Sequence, residues 1–434
     1  LNGRSVMVWE LSKFGQQLGC GSGIGELMDD LGHALAKGGD RVRMLGGGQP
    51  AHIPHMDTIW RKRMQEIVDE PGQLEHALGH YEPPAGNPEF RVAVANLFRE
   101  EFGWDVGAEN IGVTAGGQTA FFMLFNALAG SFQDGKRKKI LLPLVPEYIG
   151  YANQSVDSGT DSGDSLFHAV KPRIEMTGDH EFKYRVDFDA LELTDDIAAV
   201  CVSRPTNPTG NVLTDAEVEQ LADLCSEKQI PLIIDNAYGA PFPGAIYTEV
   251  TPVWNENIIL TLSLSKLGLP GTRTGIVIAQ PEVIRWLSSM MSIIGLANAN
   301  IGQALVAPLI ENREVLRLSK EVVQPFYSEK SRQAQSWVRE FFDDSLPYQI
   351  HRNEGAFFLW MWFKDLPITS FELYERLKQR DVLVVPGNYF FFGLDDSKWR
   401  HRDECIRVTF TMPEETVRDG YRIIAEEVSK AYAE

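Results

Sequence analysis

The chain has 434 residues, 44% of them apolar and 23% charged, with a formal net charge of -19. That composition belongs to a globular chain long enough for two or three domains. The acidic balance argues against nucleic acid as a partner, and no apolar run approaches the ~18–20 residues that cross a membrane.

The N-terminal LNGRSVMVWE lacks the apolar stretch of a signal peptide. The four cysteines, Cys20, Cys201, Cys225 and Cys405, are far apart and form no CxxC. Reduced thiols in a cytoplasmic enzyme are therefore expected, with no disulfide framework and no metal site. GSGIG (21–25) follows no strand, so it is not a dinucleotide fingerprint. GGGQP (46–50) has no GK[ST] after it and is not a P-loop. His52 with His55, and His76 with His80, read as surface histidines.

Further along, IGVT (111–114), AGGQ and TAFFMLFNALAG spell strand, glycine turn and helix. KKILLPLV (138–145), IAAVCVS (197–203), IPLIID (230–235), NIILTLS (257–263) and GIVIA (275–279) are short, two-sided apolar runs with helical patterns such as 215–229 between some of them. Strands alternating with helices predict an α/β fold with a mostly parallel sheet covered on both faces. DSGTDSGDS (157–165) reads as a surface loop. Residues 281–342 are helical in pattern, with Pro308 and Pro325 as breaks or kinks. Shorter strands follow at 355–363, 382–386 and 405–411, and the last helix sets Val417, Tyr421, Ile424, Val428 and Tyr432 on one face. The expected organisation is an N-terminal arm that also forms part of the small domain (1–50), a large domain (51–319) and a smaller α+β domain (320–434).

Three chemically suggestive segments follow the C-terminal ends of central strands: SRPTNPTGN after 197–203, DNAYG at the end of 230–235, and SLSKLGLPGTRTG after 257–263. In a parallel sheet those ends share one edge, where ligands bind. Asn207, Asp235, Tyr238, Lys266 and Arg273 can therefore converge. A lysine on a tight apolar loop is held towards its neutral form and can condense with an aldehyde. A carboxylate can pair with a protonated pyridine nitrogen. Asn207 and Tyr238 can donate to a phenolate oxygen, while Arg273, Ser263 and Ser265 can hold a phosphate. The backbone N–H groups of Gly117 and Gln118, opening the helix after IGVT, face an anion as well.

These segments, with YEPPAGNPEFRVAVA (81–95), PEYIGY (146–151), VLVVPG (382–387) and IRVTF (406–410), resemble the fold-type I, aspartate-aminotransferase-like family of pyridoxal-phosphate enzymes. The resemblance implies a mostly parallel seven-stranded sheet in the large domain and an aminotransferase working by ping-pong kinetics. It implies that Lys266 carries pyridoxal 5'-phosphate as a Schiff base and shuttles the proton, and that Asp235 pairs with the ring nitrogen. Tyr238 and Asn207 contact the phenolate oxygen, and Tyr148 stacks on the ring. Gly117, Gln118, Ser263, Ser265 and Arg273 hold the phosphate. Tyr81 reaches the phosphate of a neighbouring subunit in a homodimer. Arg407 clamps the substrate carboxylate, assisted by Gly48 and Asn207, and Ile24 of the N-terminal arm touches the substrate side chain. No second basic clamp for an acidic substrate is evident, which agrees with small neutral amino and 2-oxo acids such as valine, alanine and pyruvate. The rivals are another reaction on the same cofactor, such as a C–S lyase, and a ligand sensor built on the fold.

Overall fold

The computed structural model describes residues 10–19, 25, 30, 32, 39–157, 166–395 and 398–434. Its strands, in chain order, are β1 (Arg43–Met44), β2 (Ile111–Thr114), β3 (Gly130–Ser131), β4 (Arg137–Leu142), β5 (Phe167–Ala169), β6 (Arg173–Gly178), β7 (Glu181–Arg185), β8 (Ile197–Ser203), β9 (Leu232–Asp235), β10 (Ile258–Ser263), β11 (Gly275–Ile278), β12 (Tyr348–His351), β13 (Phe358–Phe363), β14 (Val382–Leu383), β15 (Val385–Pro386) and β16 (Cys405–Thr409).

The large sheet runs β2-β11-β10-β9-β8-β4-β3, with β5 paired to β4. Seven of these strands make the sheet expected from the sequence; the two-residue β3 at the edge is the eighth. From β10 through β9, β8 and β4 to β5 every pairing is parallel, and β11 alone is antiparallel to both its neighbours, β10 and β2. All seven residues of β8 are buried, which explains why the central strands read as continuous apolar runs and not as alternations.

A second sheet runs β15-β16-β13-β12-β7-β6. The hairpin 173–185 precedes β8 in sequence yet pairs into this sheet, through the parallel β7–β12 contact of Ile350 with Glu181. Nothing in its composition signals that choice, because the partner lies more than 160 positions away. Between the sheets, the buried ammonium of Lys183 on β7 bonds the Val212 carbonyl at 2.9 Å and the Glu354 carboxylate. Buried side chains of both sheets form one continuous apolar core.

Residues 281–341 are helical apart from a short break at 295–300 and a two-residue one at 312–313. Pro308 is tolerated inside the helix Ile301–Glu311, one turn before its end. Pro325 is the second residue of the helix Gln324–Phe341 and directly follows the π-helical turn Ser319–Val323. The last helix, Glu414–Ala433, buries Val417, Tyr421, Ile424 and Val428, with Tyr432 packed against the core edge.

Candidate active site

The C-terminal ends of β8, β9 and β10 lie side by side: Ser203 pairs with Asp235, and Asp235 with Thr261. Beyond β10 the chain makes one tight turn, Leu264–Leu267, whose start is capped by Ser263 Oγ accepting from Ser265 N–H at 3.1 Å. That turn presents Lys266, whose ammonium donates to the Gly48 carbonyl at 2.7 Å and lies 5.2 Å from the centre of the Tyr238 ring. Desolvation, with the nearby Arg407 and Arg273 charges, brings its pKa down to about 8 against the opposing pull of Asp235.

Asp235 ends β9. Its Oδ1 accepts from Ala237 N–H at 3.0 Å and its Oδ2 from the Tyr151 hydroxyl. Desolvation raises its pKa, although both hydrogen bonds and Lys266 oppose the shift. No arginine, lysine or histidine forms an ion pair with it among the described residues. Tyr238 is buried, edge-on to Phe357 at 5.1 Å, and burial pushes its phenol well above 10.

Arg407 occupies the middle of β16, opposite Trp360 and Val385. It is buried, with Nη1 donating to Asn207 Oδ1 and Nη2 to the Gly46 carbonyl, both at 2.7 Å. The guanidinium lies 4.2 Å over the Phe358 ring, and desolvation lowers its pKa to about 10. Its Nε has no hydrogen-bond partner among the described residues. A buried cation held only by neutral groups suits an incoming carboxylate.

The helix Gly117–Leu128 begins after β2. Its first intrahelical bond is Ala120 N–H to Gly116 O, so the N–H groups of Gly117, Gln118 and Thr119 face out of the helix start. Arg273, in the left-handed region at φ 50°, lays its guanidinium over this start and touches the Ala115 carbonyl at 3.4 Å. Gly116, at φ +87°, must lack a side chain, because a Cβ there would fall 2.2 Å from Arg273 Nη2. The seven-residue spacing from Lys266 delivers Arg273 to the helix start. The Gln118 side chain turns away to bond the Gly150 carbonyl at 2.7 Å, leaving its backbone N–H for an anion.

Tyr148 is half-buried near this edge, and the bare Gly150 makes room for its ring, since a Cβ there would lie 2.4 Å away. Tyr81 stands apart on the surface, 83% exposed. Ile24 lies outside the described residues.

Sequence reasoning singled out Tyr148 in PEYIGY but passed over its neighbours. Tyr151 bonds Asp235, and Glu147 is buried with its oxygens on Ser203 N–H (2.8 Å), Ser203 Oγ (2.6 Å) and Tyr148 N–H (3.2 Å). Burial pushes the Glu147 carboxyl up to about 8. The wall of Phe357 stacked on Tyr327 at 4.1 Å was also unforeseen. The segment itself was the one available signal, because two acid or phenol groups beside an apolar strand end need local partners.

The donor set fits an anionic phosphorylated pyridine aldehyde: a lysine brought towards neutrality, a partly buried carboxylate without an ion-pair partner among the described residues, and a helix start under an arginine. A family model for aminotransferase class I and II matches residues 170–424, more than half of the chain. The chain belongs to that family. It is an aminotransferase whose cofactor is pyridoxal 5'-phosphate.

At the level of single proteins, the chain is 46% identical over 423 residues to the valine–pyruvate aminotransferase of Escherichia coli K12, covering 98% of this chain and 99% of that one. Among solved structures it is similar to valine-pyruvate aminotransferase AvtA from Salmonella typhimurium LT2, with a TM-score of 0.86 and 45% identity over 95% of this chain and 100% of that one. A putative amino-acid aminotransferase from Psychrobacter arcticum 273-4 matches at TM-score 0.93 and 43% identity, over 98% and 100% of the two chains. An aspartate aminotransferase from Thermus thermophilus, 22% identical at TM-score 0.74, shares the fold, that of fold-type I enzymes.

Proposed function

We propose that the chain moves the amino group of valine to pyruvate, giving 3-methyl-2-oxobutanoate and alanine. The observation that carries a substrate-binding site of this kind is Arg407, a buried guanidinium whose partners are all uncharged. The likeness to the Escherichia coli enzyme over nearly the whole of both chains supports the particular substrate pair.

In this reading Lys266 binds the aldehyde carbon of pyridoxal phosphate, and Asp235 partners its ring nitrogen. Asn207 and Tyr238 serve the phenolic oxygen, and Tyr148 packs on the ring. Gly117, Gln118, Ser263, Ser265 and Arg273 serve the phosphate. When bound, the cofactor supplies an electron sink for the carbon that loses its proton.

Arg407 grips the substrate carboxylate in a forked geometry, with Asn207 and the Gly46–Gly48 loop beside it. Lys266 Nζ, once neutral, would take the Cα proton and deliver it to the carbon two atoms away, on the far side of the transferred nitrogen. Its lowered pKa suits that task near neutral pH. The aromatic wall of Tyr238 and Phe357, backed by Tyr327, flanks the lysine, whose Nζ lies 5.2 Å and 5.9 Å from the first two ring centres. Arg407 is the substrate cation in this arrangement, in keeping with uncharged side chains on both substrates.

A homodimer belongs to the same reading. Tyr81, Leu78, Ile293, Ile294 and Leu296 are large and exposed. Their two segments are stitched together by Asn300 Nδ2 to His80 O at 2.8 Å and Asn298 Nδ2 to Pro84 O at 2.9 Å. A second copy covering this apolar face would bring Tyr81 to its phosphate. Residues 51–319 form the cofactor-binding part in this scheme, with the hairpin 173–185 assigned to the smaller part alongside 320–434. The buried unpaired Cys201, Cys225 and Cys405 fit a reducing compartment such as the cytoplasm.

The test is a panel of amino donors and 2-oxo acids on purified protein. Valine with pyruvate is expected to yield alanine in equal measure to 3-methyl-2-oxobutanoate; release of ammonia, or no alanine, would refute the proposal.

A further inference from the structure

Tyr151 is fully buried on the short turn Ile149–Tyr151. Its ring is wedged against Phe121 at 4.7 Å and Phe125 at 5.1 Å, both from the helix that opens with Gly117. On another side it meets Tyr148 edge-on at 5.2 Å. Its hydroxyl donates to Asp235 Oδ2. One side chain therefore braces the phosphate-end helix, the ring-face tyrosine and the carboxylate, and it has no room to swing away.

We propose that Tyr151 is a positioning residue that keeps the proton off Asp235, so that the carboxylate stays the anionic partner of the cofactor's ring nitrogen. The inference rests on that pairing, as proposed above. With Tyr151 on Oδ2 and Ala237 N–H on Oδ1, each oxygen has one donor, and both donors favour the charged carboxylate. Burial works the other way. Burial outweighs the two donors and Lys266, so the carboxyl is already raised, and the loss of one donor raises it further. A phenol suits the position better than a cation. It donates without adding charge, so the full negative charge of Asp235 remains for the ring. Burial raises the phenol well above its usual range, so it remains a donor at any working pH.

The experiment loads the protein with pyridoxal phosphate carrying ¹⁵N at the ring nitrogen and follows that nitrogen's chemical shift between about pH 6 and pH 9. A bond from a neutral donor to a carboxylate is worth about one to two pH units of carboxylate basicity. Wild type is expected to hold the protonated signal throughout. In Tyr151→Phe, which keeps the ring packing, the signal should move towards neutral pyridine as the proton passes to Asp235. The kcat should fall about 10- to 100-fold with it, with KM for the amino donor little changed.

A Tyr151→Phe signal and pH profile matching wild type would overturn the inference and leave Tyr151 a packing residue. A neutral ring nitrogen in wild type, or a protonated one in Asp235→Asn, would instead sink the pairing itself. Should Tyr151→Phe lose the cofactor, 3-fluorotyrosine at position 151 gives the same answer without changing shape. As the stronger donor it should, when the titration is carried above pH 9 to the point where wild type loses the ring proton, hold the nitrogen protonated to higher pH, and no shift of that point, or the opposite shift, would refute the role.

Discussion

Arg407 Nη1 donates to Asn207 Oδ1 at 2.7 Å, and this contact joins the second sheet to the loop after β8 across 200 positions of sequence. In the proposed reading, the grip on the substrate carboxylate therefore depends on both halves of the molecule. The loop that carries Asn207 is tied to the second sheet at its far end as well, since Glu354 accepts from the Val212 N–H at 3.1 Å and from the Lys183 ammonium.

Arg407→Lys keeps a positive charge but loses the planar fork. The expected result is a fall of about 100-fold in kcat/KM for the amino donor, mostly in KM, because a lysine offers a point charge where two parallel bonds are needed. Single-turnover kinetics with valine measure it. A value within twofold of wild type would remove Arg407 from the carboxylate site.

Lys266→Ala should abolish the visible absorbance band that borohydride bleaches, and lower turnover by about 10⁴-fold or more. The spectrum separates the two roles: a persistent bleachable band would place the cofactor on another amine.

With its pKa near 8, the Lys266 amine is about one-tenth neutral at pH 7. The rate at which cofactor-free protein captures pyridoxal phosphate should rise about tenfold per pH unit below 8 and level off above it. The sign for stability is the same. The folded value lies below the ordinary lysine value of 10.5, so the neutral amine's contribution is fully present above 10.5 and lost as pH falls through about 8. Stopped-flow absorbance across the range follows the capture, and a flat profile would contradict the lowered pKa.

Lys183→Met leaves the Glu354 carboxylate buried with a backbone N–H as its remaining donor. Breaking one side of a buried pair costs about 3–5 kcal/mol. Urea denaturation of the variant should show a loss of that order, accompanied by a higher KM through the displaced Asn207 loop. A change below about 1 kcal/mol would mean that water replaces the ammonium.

Ile293→Asp with Leu296→Asp places two charges on the exposed apolar face. If that face meets a second copy, sedimentation should show monomers, with weakened cofactor retention because Tyr81 no longer reaches its neighbour. Tyr81→Phe alone should weaken retention without dissociation. Wild-type assembly in the double variant would direct the dimer interface elsewhere.

The sequence by itself determined the elements whose cause is local. The apolar runs of β8 and β10 are strands because both faces are covered, and glycine turns and helix starts stand beside the residues that need them. The convergence of Asp235 and Lys266 follows from one rule, that neighbouring parallel strands end at the same edge. The tertiary structure alone decided what depends on distant partners. It paired the hairpin 173–185 with β12, set Arg407 against Asn207 and Gly46, and aimed the Tyr151 hydroxyl at Asp235. Hydrogen bonds between residues tens to hundreds of positions apart leave no periodicity in the chain. They are selected only when the packed core fixes which buried polar groups must satisfy one another.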